Sequence, residues 1–168
     1  MKDQITLDRI KLLHPKLREE AAEIYDEIYE ALKGKARCRF THTLRTFAEQ
    51  DAIYQQGRTK PGPIVSQAKA GLSPHNYGLA IDIVLLVDKD GDGSFESAAW
   101  DSKTDFDKDG KSDWMEIVTI FKQHGWEWGG DWKFYDAPHF QKCFGKSVRE
   151  LLALYNAKKV DANNYVPI

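Results

Sequence analysis

Residues 79–87 read LAIDIVLLV, an apolar run broken only by Asp82. A run this rich in Ile, Leu and Val suits a central strand buried on both faces. The rest of the chain must then supply the elements that cover it. Asp82 is the anomaly, because a lone carboxylate in such a strand costs several kcal/mol to bury unless a cation or a metal meets it. An ion pair with an arginine such as Arg45 is one answer, and a metal ion is the other.

The covering elements can be read from periodicity and caps. Leu17, Ala21, Ile24, Ile28 and Leu32 recur at helical spacing, so 15–33 is an amphipathic helix stopped by Gly34. Residues 36–42 form a strand, with Cys38 and Phe40 on one side and Arg37 and Arg39 on the other. Thr46 and Glu49 make a capping box that opens a helix to about Gly57. Pro61, Gly62, Pro63, Gly71 and Pro74 make 58–74 a surface loop. A helix over 113–124 points Ile117, Ile120 and Phe121 inward. The loop 126–132 (WEWGGDW) leads to a short strand over 137–144, and a second capping box, Ser147 with Glu150, opens a last helix to about Asn156. Strands and helices do not alternate as βαβ units, so the class is α+β: a small antiparallel sheet flanked by helices.

At 168 residues the chain is one domain that buries roughly two-thirds of its unfolded surface. Its expected organisation is a single domain, 1–168. A helical part (1–34) precedes the core (36–145), which carries an acidic insertion (88–116), and a C-terminal helix follows (146–157). A hydrophobic content of 42% excludes disorder, and a net charge of −2 gives no general attraction to nucleic acid. No apolar run approaches the roughly 18 residues of a membrane span. A monomer is expected. Cys38 and Cys143 form no CxxC pair and read as buried thiols or as one disulfide.

Seven residues before Asp82, His75 stands in the turn SPHNYG. Imidazole and carboxylate both suit zinc, and a catalytic zinc takes three protein ligands and leaves one position for water. The natural third ligand is His139, in DAPHF beside the last strand. Taken alone, each histidine reads more readily as a hydrogen-bonded structural residue than as a ligand. His14, His42 and His124 have no ligand-like neighbours and are given that plainer reading.

SPHNYGLAID matches the S-x-H-x-x-G-x-A-x-D pattern of the bacterial zinc D-Ala-D-Ala carboxypeptidase and L-alanyl-D-glutamate endopeptidase family, and DAPHF matches that family's second motif. TLRTFAEQDAIYQQGRTKPG resembles the arginine-bearing stretch of its endolysin-like branch, so the resemblance covers about 36–145. It implies a hedgehog/DD-peptidase-like fold, zinc on His75, Asp82 and His139, and a peptidoglycan stem peptide as substrate. Asp136 becomes the general base, where many members carry glutamate, although the endolysin-like branch shares the aspartate. Arg45 stabilises the developing oxyanion or holds a substrate carboxylate. Ser73, Tyr77 and Trp132 line the cleft, or else serve turn formation and core packing. Gln50 and Arg58 lie in the matched stretch without an assigned role. The implied activity is L-alanyl-D-glutamate endopeptidase, with D-Ala-D-Ala carboxypeptidase as the alternative and a non-catalytic zinc or calcium module as the competing class. The N-terminus MKDQITLDRI lacks a secretory apolar core, so action on the cell wall calls for a removed signal or release through a lysis pore, as with phage enzymes.

The acidic block 88–116 holds ten acids against four lysines. Within it Asp105, Asp107, Asp109, Gly110, Lys111, Asp113 and Glu116 fall at positions 1, 3, 5, 6, 7, 9 and 12 of an EF-hand-like loop. That spacing predicts calcium, with Lys111 contributing its backbone carbonyl. Asp88, Asp90, Asp92 and Gly93 begin the same pattern, but position 12 is Ala99, so this second site is incomplete unless Glu96 or Asp101 reaches it. Solvated turns whose aspartates cap the next helix are the alternative for both loops.

Overall fold

The computed structural model describes residues 2–168. In chain order they form α1 (Gln4–Ile10), α2 (Arg18–Ala31), β1 (Ala36–His42), α3 (Phe47–Gln55), β2 (Ala80–Val87), β3 (Ser97–Ala99), α4 (Asp113–Gln123), β4 (Glu127–Trp128), β5 (His139–Gln141) and α5 (Val148–Asn156). All strand pairs are antiparallel. β2 lies at the centre, with β1 along one edge and β5 and β3 sharing the other, while β4 extends the sheet beyond β5.

The apolar run explains this centrality. Ile81, Ile83, Leu85 and Val87 join the main core, whereas Asp82 belongs to the alternate set that leaves by the opposite face. Phe40 of β1 and Phe140 of β5 extend the core side of the sheet. Phe121 of α4 stacks on Phe140 at 4.1 Å between ring centroids, and Tyr25 of α2 meets Phe40 edge-on at 5.6 Å. α2 and α4 therefore cover one face and leave the Asp82 face for chemistry.

The segment 15–33 begins as a 3₁₀ turn, Pro15–Leu17, before α2, and ends where Lys33 and Gly34 turn left-handed at φ 47° and 70°. Both expected capping boxes are formed. Strand 137–144 contracts to β5, and the loop 126–132 carries β4 and a 3₁₀ turn. Besides β4, two elements escaped the sequence reading. α1 is held by Asp3, which caps it by accepting from the Thr6 amide at 3.1 Å and accepts from Arg39 of β1 at 2.8 and 3.1 Å. β3 arises inside the acidic block and pairs with the end of β2. Cys38 and Cys143 are both free thiols.

Candidate active site

Sheet register brings two of the expected ligands together. Asp82 of β2 stands opposite His139 of β5, and on its other side β1 places His42 opposite the same aspartate after a bulge. His75 arrives from the 3₁₀ turn Pro74–Tyr77. Gly78 ends that turn at φ 67°, and a side chain there would lie 2.6 Å from the His14 amide nitrogen, so the reversal into β2 requires glycine. Asn76, buried beside it, accepts from the Gly71 and Ser73 amides and donates to the Arg45 carbonyl, locking three segments around the turn.

His75 Nε2 lies 3.1 Å and His139 Nδ1 3.0 Å from Asp82 Oδ1. The outer nitrogens have other partners: His75 Nδ1 donates to the Thr43 carbonyl at 2.8 Å, and His139 Nε2 donates to Gln141 Oε1 at 3.1 Å. His139 Nδ1 is hydrogen-bonded to Asp82 Oδ1, and once that proton is shed the lone pairs of His75 Nε2 and His139 Nδ1 both face the carboxylate, where a metal would sit. His75 Nε2 is buried and has no hydrogen-bond partner. Ligand atoms around a tetrahedral zinc stand about 3.3 Å apart at ordinary bond lengths, so this donor set fits that ion. Burial opposes charge on Asp82, but the two imidazoles override it and hold the carboxyl well below the ordinary range. Burial likewise lowers His139, and Asp82 more than reverses that, so its pKa is raised.

Both answers to the Asp82 anomaly are met by one carboxylate. Its Oδ1 faces the histidines, and its Oδ2 lies 3.6 Å from Arg45 Nη2. Arg45 is itself fixed by Gln50, whose Oε1 accepts from Arg45 Nη1 at 3.0 Å. Gln50 is wholly buried and donates to Ser66 Oγ and the Ala68 carbonyl. Arg58 donates to the carbonyls of Tyr54 and Ser66 and to Gln67, pinning the loop that forms one wall.

Asp136 lies on the same cleft. Its amide donates to the Gly129 carbonyl at 3.0 Å, and its carbonyl accepts from the His139 amide at 3.2 Å. Any side chain at Gly129 would collide with the Asp136 carbonyl, so WEWGGDW is the mould that sets the Asp136 backbone. Burial pushes the Asp136 carboxyl upward, and the nearby imidazoles only partly oppose this.

The cleft measures about 1190 Å³, room for an extended peptide segment rather than a single side chain. His42, Ile64, Val65, Trp100, Trp132 and Phe134 form its sides. The Trp132 ring stands 5.2 Å from that of His139. Ser73 borders the cleft, but its hydroxyl accepts from the His75 amide and so shapes the turn. Tyr77 does not reach the cleft: it is buried, donates to the Gly71 carbonyl at 2.7 Å and packs edge-on against Phe47. His42 and Trp100 were missed. His42 gave no signal in its own neighbourhood, and Trp100 is delivered by an insertion whose folding depends on distant pairing.

The two acidic loops differ. Carboxylate oxygens of Asp105, Asp107 and Asp113, and of Asp107, Asp109 and Glu116, lie within 4.8 Å of one another, with Asp107 common to both groups. Asp113 is wholly buried, and its Oδ2, like Glu116 Oε2, has no hydrogen-bond partner. Burial, followed by the surrounding acids, raises both carboxyls. In the other loop Asp88, Asp90 and Asp92 also converge and, like Asp105, Asp107 and Asp109, accept bonds from backbone amides of their own turn, but Asp90 and Asp92 are exposed and none of the three leaves a buried oxygen without a partner. Ala99, at the twelfth position, is committed to β3 opposite Leu85.

Two histidines and an aspartate at the floor of a cleft, with a half-buried carboxylate beside them, define a site of the metallopeptidase class. Residues 66–142 match the model of the D-alanyl-D-alanine carboxypeptidase family. Over 135 residues the chain is 47% identical to the peptidoglycan L-alanyl-D-glutamate endopeptidase CwlK of Bacillus subtilis, spanning 77% of this chain and 72% of that protein. The fold resembles the crystal structure of the Serratia marcescens L-Ala D-Glu endopeptidase ChiX, with a TM-score of 0.51 and 22% identity over 83% of this chain and 87% of that one. The chain belongs to this family of zinc peptidases.

Proposed function

We propose that the protein is a zinc-dependent endopeptidase that cuts the L-alanyl-D-glutamate bond of peptidoglycan stem peptides. The observation that carries this reading is the convergence of His75, Asp82 and His139 beneath the cleft of a chain 47% identical to an endopeptidase of that specificity. The zinc ligands are those three residues. When bound, zinc lowers the pKa of a coordinated water to about 7 and polarises a carbonyl. Asp136 takes the proton of the attacking water and returns it to the leaving amine, a role suited to a carboxylate whose proton affinity burial has raised. Arg45, anchored by Gln50, holds a substrate carboxylate or the carbonyl oxygen as it gains charge. All these groups come from one chain, so a monomer acting on the cell wall suffices.

Asp136→Asn tests the mechanism. The variant should keep its fold and its zinc while activity falls by roughly 10²-fold or more; an unchanged rate removes Asp136 from the reaction. Mass spectrometry of fragments released from purified peptidoglycan tests the bond. New L-alanine C-termini and D-glutamate N-termini are expected, and release of terminal D-alanine alone would make the enzyme a carboxypeptidase.

The acidic loop is read as a second cation site. Calcium bound by Asp105, Asp107, Asp109, Asp113, Glu116 and the Lys111 carbonyl is supported by the buried, unpartnered Asp113 oxygen that this convergence leaves. The loop of Asp88, Asp90 and Asp92 is the poorer candidate for the same ion.

A further inference from the structure

The calcium-type loop already has a cationic occupant. Lys33, in the left-handed turn that ends α2, places its ammonium 2.9 Å from Asp109 Oδ2, to which it donates a hydrogen bond, and 3.1 Å from Asp107 Oδ2. The second contact has charge but not hydrogen-bond geometry, and the Asp107 oxygen remains a buried acceptor without a bond. Lys33 thus engages two of the carboxylates from one side and leaves Asp113 Oδ2 and Glu116 Oε2 unsatisfied. Lys111 approaches Glu116 only at 4.0 Å, through its other oxygen.

An ammonium is the wrong ion for this cluster. It carries one charge and three directional protons, whereas a hard divalent cation accepts six to eight oxygens without regard to proton direction. The loop's backbone is nonetheless set: Asp105 accepts from the amides of Lys108, Asp109 and Gly110, and Asp109 accepts from that of Lys111. The Lys33 side chain is 54% exposed, so it can swing into water without disturbing the core.

We propose that Lys33 is an internal competitor for the divalent-cation site of the 105–116 loop, holding Asp107 and Asp109 in the absence of the ion and leaving when calcium binds. This rests on the calcium reading of the loop. Lys33 lowers the loop's calcium affinity, keeps the loop ordered when calcium is scarce, and ties the end of α2 to the start of α4 in one of two states.

Calorimetric titration with calcium chloride tests it, using zinc-loaded protein freed of calcium by a calcium-selective chelator. Lys33→Met should tighten calcium binding about tenfold, the scale expected when two ion-pair contacts no longer compete. The same variant should melt at lower temperature without calcium and gain more on its addition. Lys35→Met makes the same change of charge two residues away and should alter affinity by less than about threefold, since an exposed charge acts weakly at a distance. Equal tightening by both variants would assign the effect to overall charge and overturn the proposal. Calcium binding by the wild type with no change in Lys33→Met overturns the role of Lys33 while the calcium reading stands. Absence of binding in every form at millimolar calcium removes both.

Discussion

Asp82 and His139 meet across two strands, but a neutral amide decides which histidine nitrogen faces the metal position. Gln141, two residues on along β5, accepts from His139 Nε2 and so leaves Nδ1 as the nitrogen that meets Asp82. Outer partners of this kind typically change metal affinity by about 10–100-fold. Gln141→Leu should therefore weaken zinc binding by that factor in a competition titration with a chromogenic chelator, with the fold intact by circular dichroism. Unchanged affinity would mean that the tautomer is set without Gln141. At this scale His75, Asp82, Asp136, His139 and Arg45 could be picked out from the sequence, because their chemistry points to a metal and their spacing to motifs, whereas His42 could not. Gln141, Gln50 and Asn76 could not either, since an amide looks the same in a sequence whether it faces water or fixes an arginine. Tyr77 was misplaced for a related reason: next to a ligand histidine, an aromatic can face the cleft or the core, and only the direction of the 3₁₀ turn decides.

Elements carry these residues, and the turn that aims Asp136 is the least tolerant of them. Gly129 accepts from the Asp136 amide so closely that a methyl group at Gly129 would strike the Asp136 carbonyl. Gly129→Ala must push Asp136 away, and displacement of a catalytic group by about 1 Å can cost 10²-fold in rate. We expect such a loss in kcat with a folded, zinc-loaded protein; full activity would show that the turn yields without moving the base. The long elements could be read ahead because periodicity and capping boxes act locally, as Thr46 with Glu49 and Ser147 with Glu150 illustrate. α1 could not, because it is short and depends on Arg39, far along the chain, to complete its Asp3 cap. β3 could not either: three residues inside an acidic insertion become a strand only because the end of β2 offers them an edge. Trp100, which follows β3, consequently enters the cleft from a direction that no local pattern announces.

The whole molecule is closed by contacts between its two ends, and one of them responds to pH. His14 Nδ1 accepts from the Lys16 amide at 3.2 Å, so the ring proton sits on Nε2 and is donated to the Val166 carbonyl at 2.8 Å. Tyr165, which meets the His14 ring edge-on, donates to the Leu12 carbonyl at 2.9 Å, so the segment 161–168 is fastened to the turn after α1. That turn also holds Gly78, because the His14 amide donates to the Gly78 carbonyl at the entrance to β2. Only neutral imidazole satisfies the arrangement, since a proton on Nδ1 would face the Lys16 N–H. Burial lowers the pKa of His14, and the bond to Val166 does not restore it. The folded pKa thus lies below the unfolded value of about 6.5. The stabilisation from His14 is therefore complete above that unfolded value and is lost as pH falls from it through the folded pKa, because the unfolded chain takes the proton first. Urea unfolding across this range should show stability falling as pH drops below about 6.5. His14→Gln, which cannot titrate, should flatten that fall. It should also be less stable at neutral pH by about 1–3 kcal/mol, the cost of disturbing a buried bonded pair. If wild type and His14→Gln lose stability in parallel over this range, the pH response belongs to another group, and the closure at His14 is structural alone.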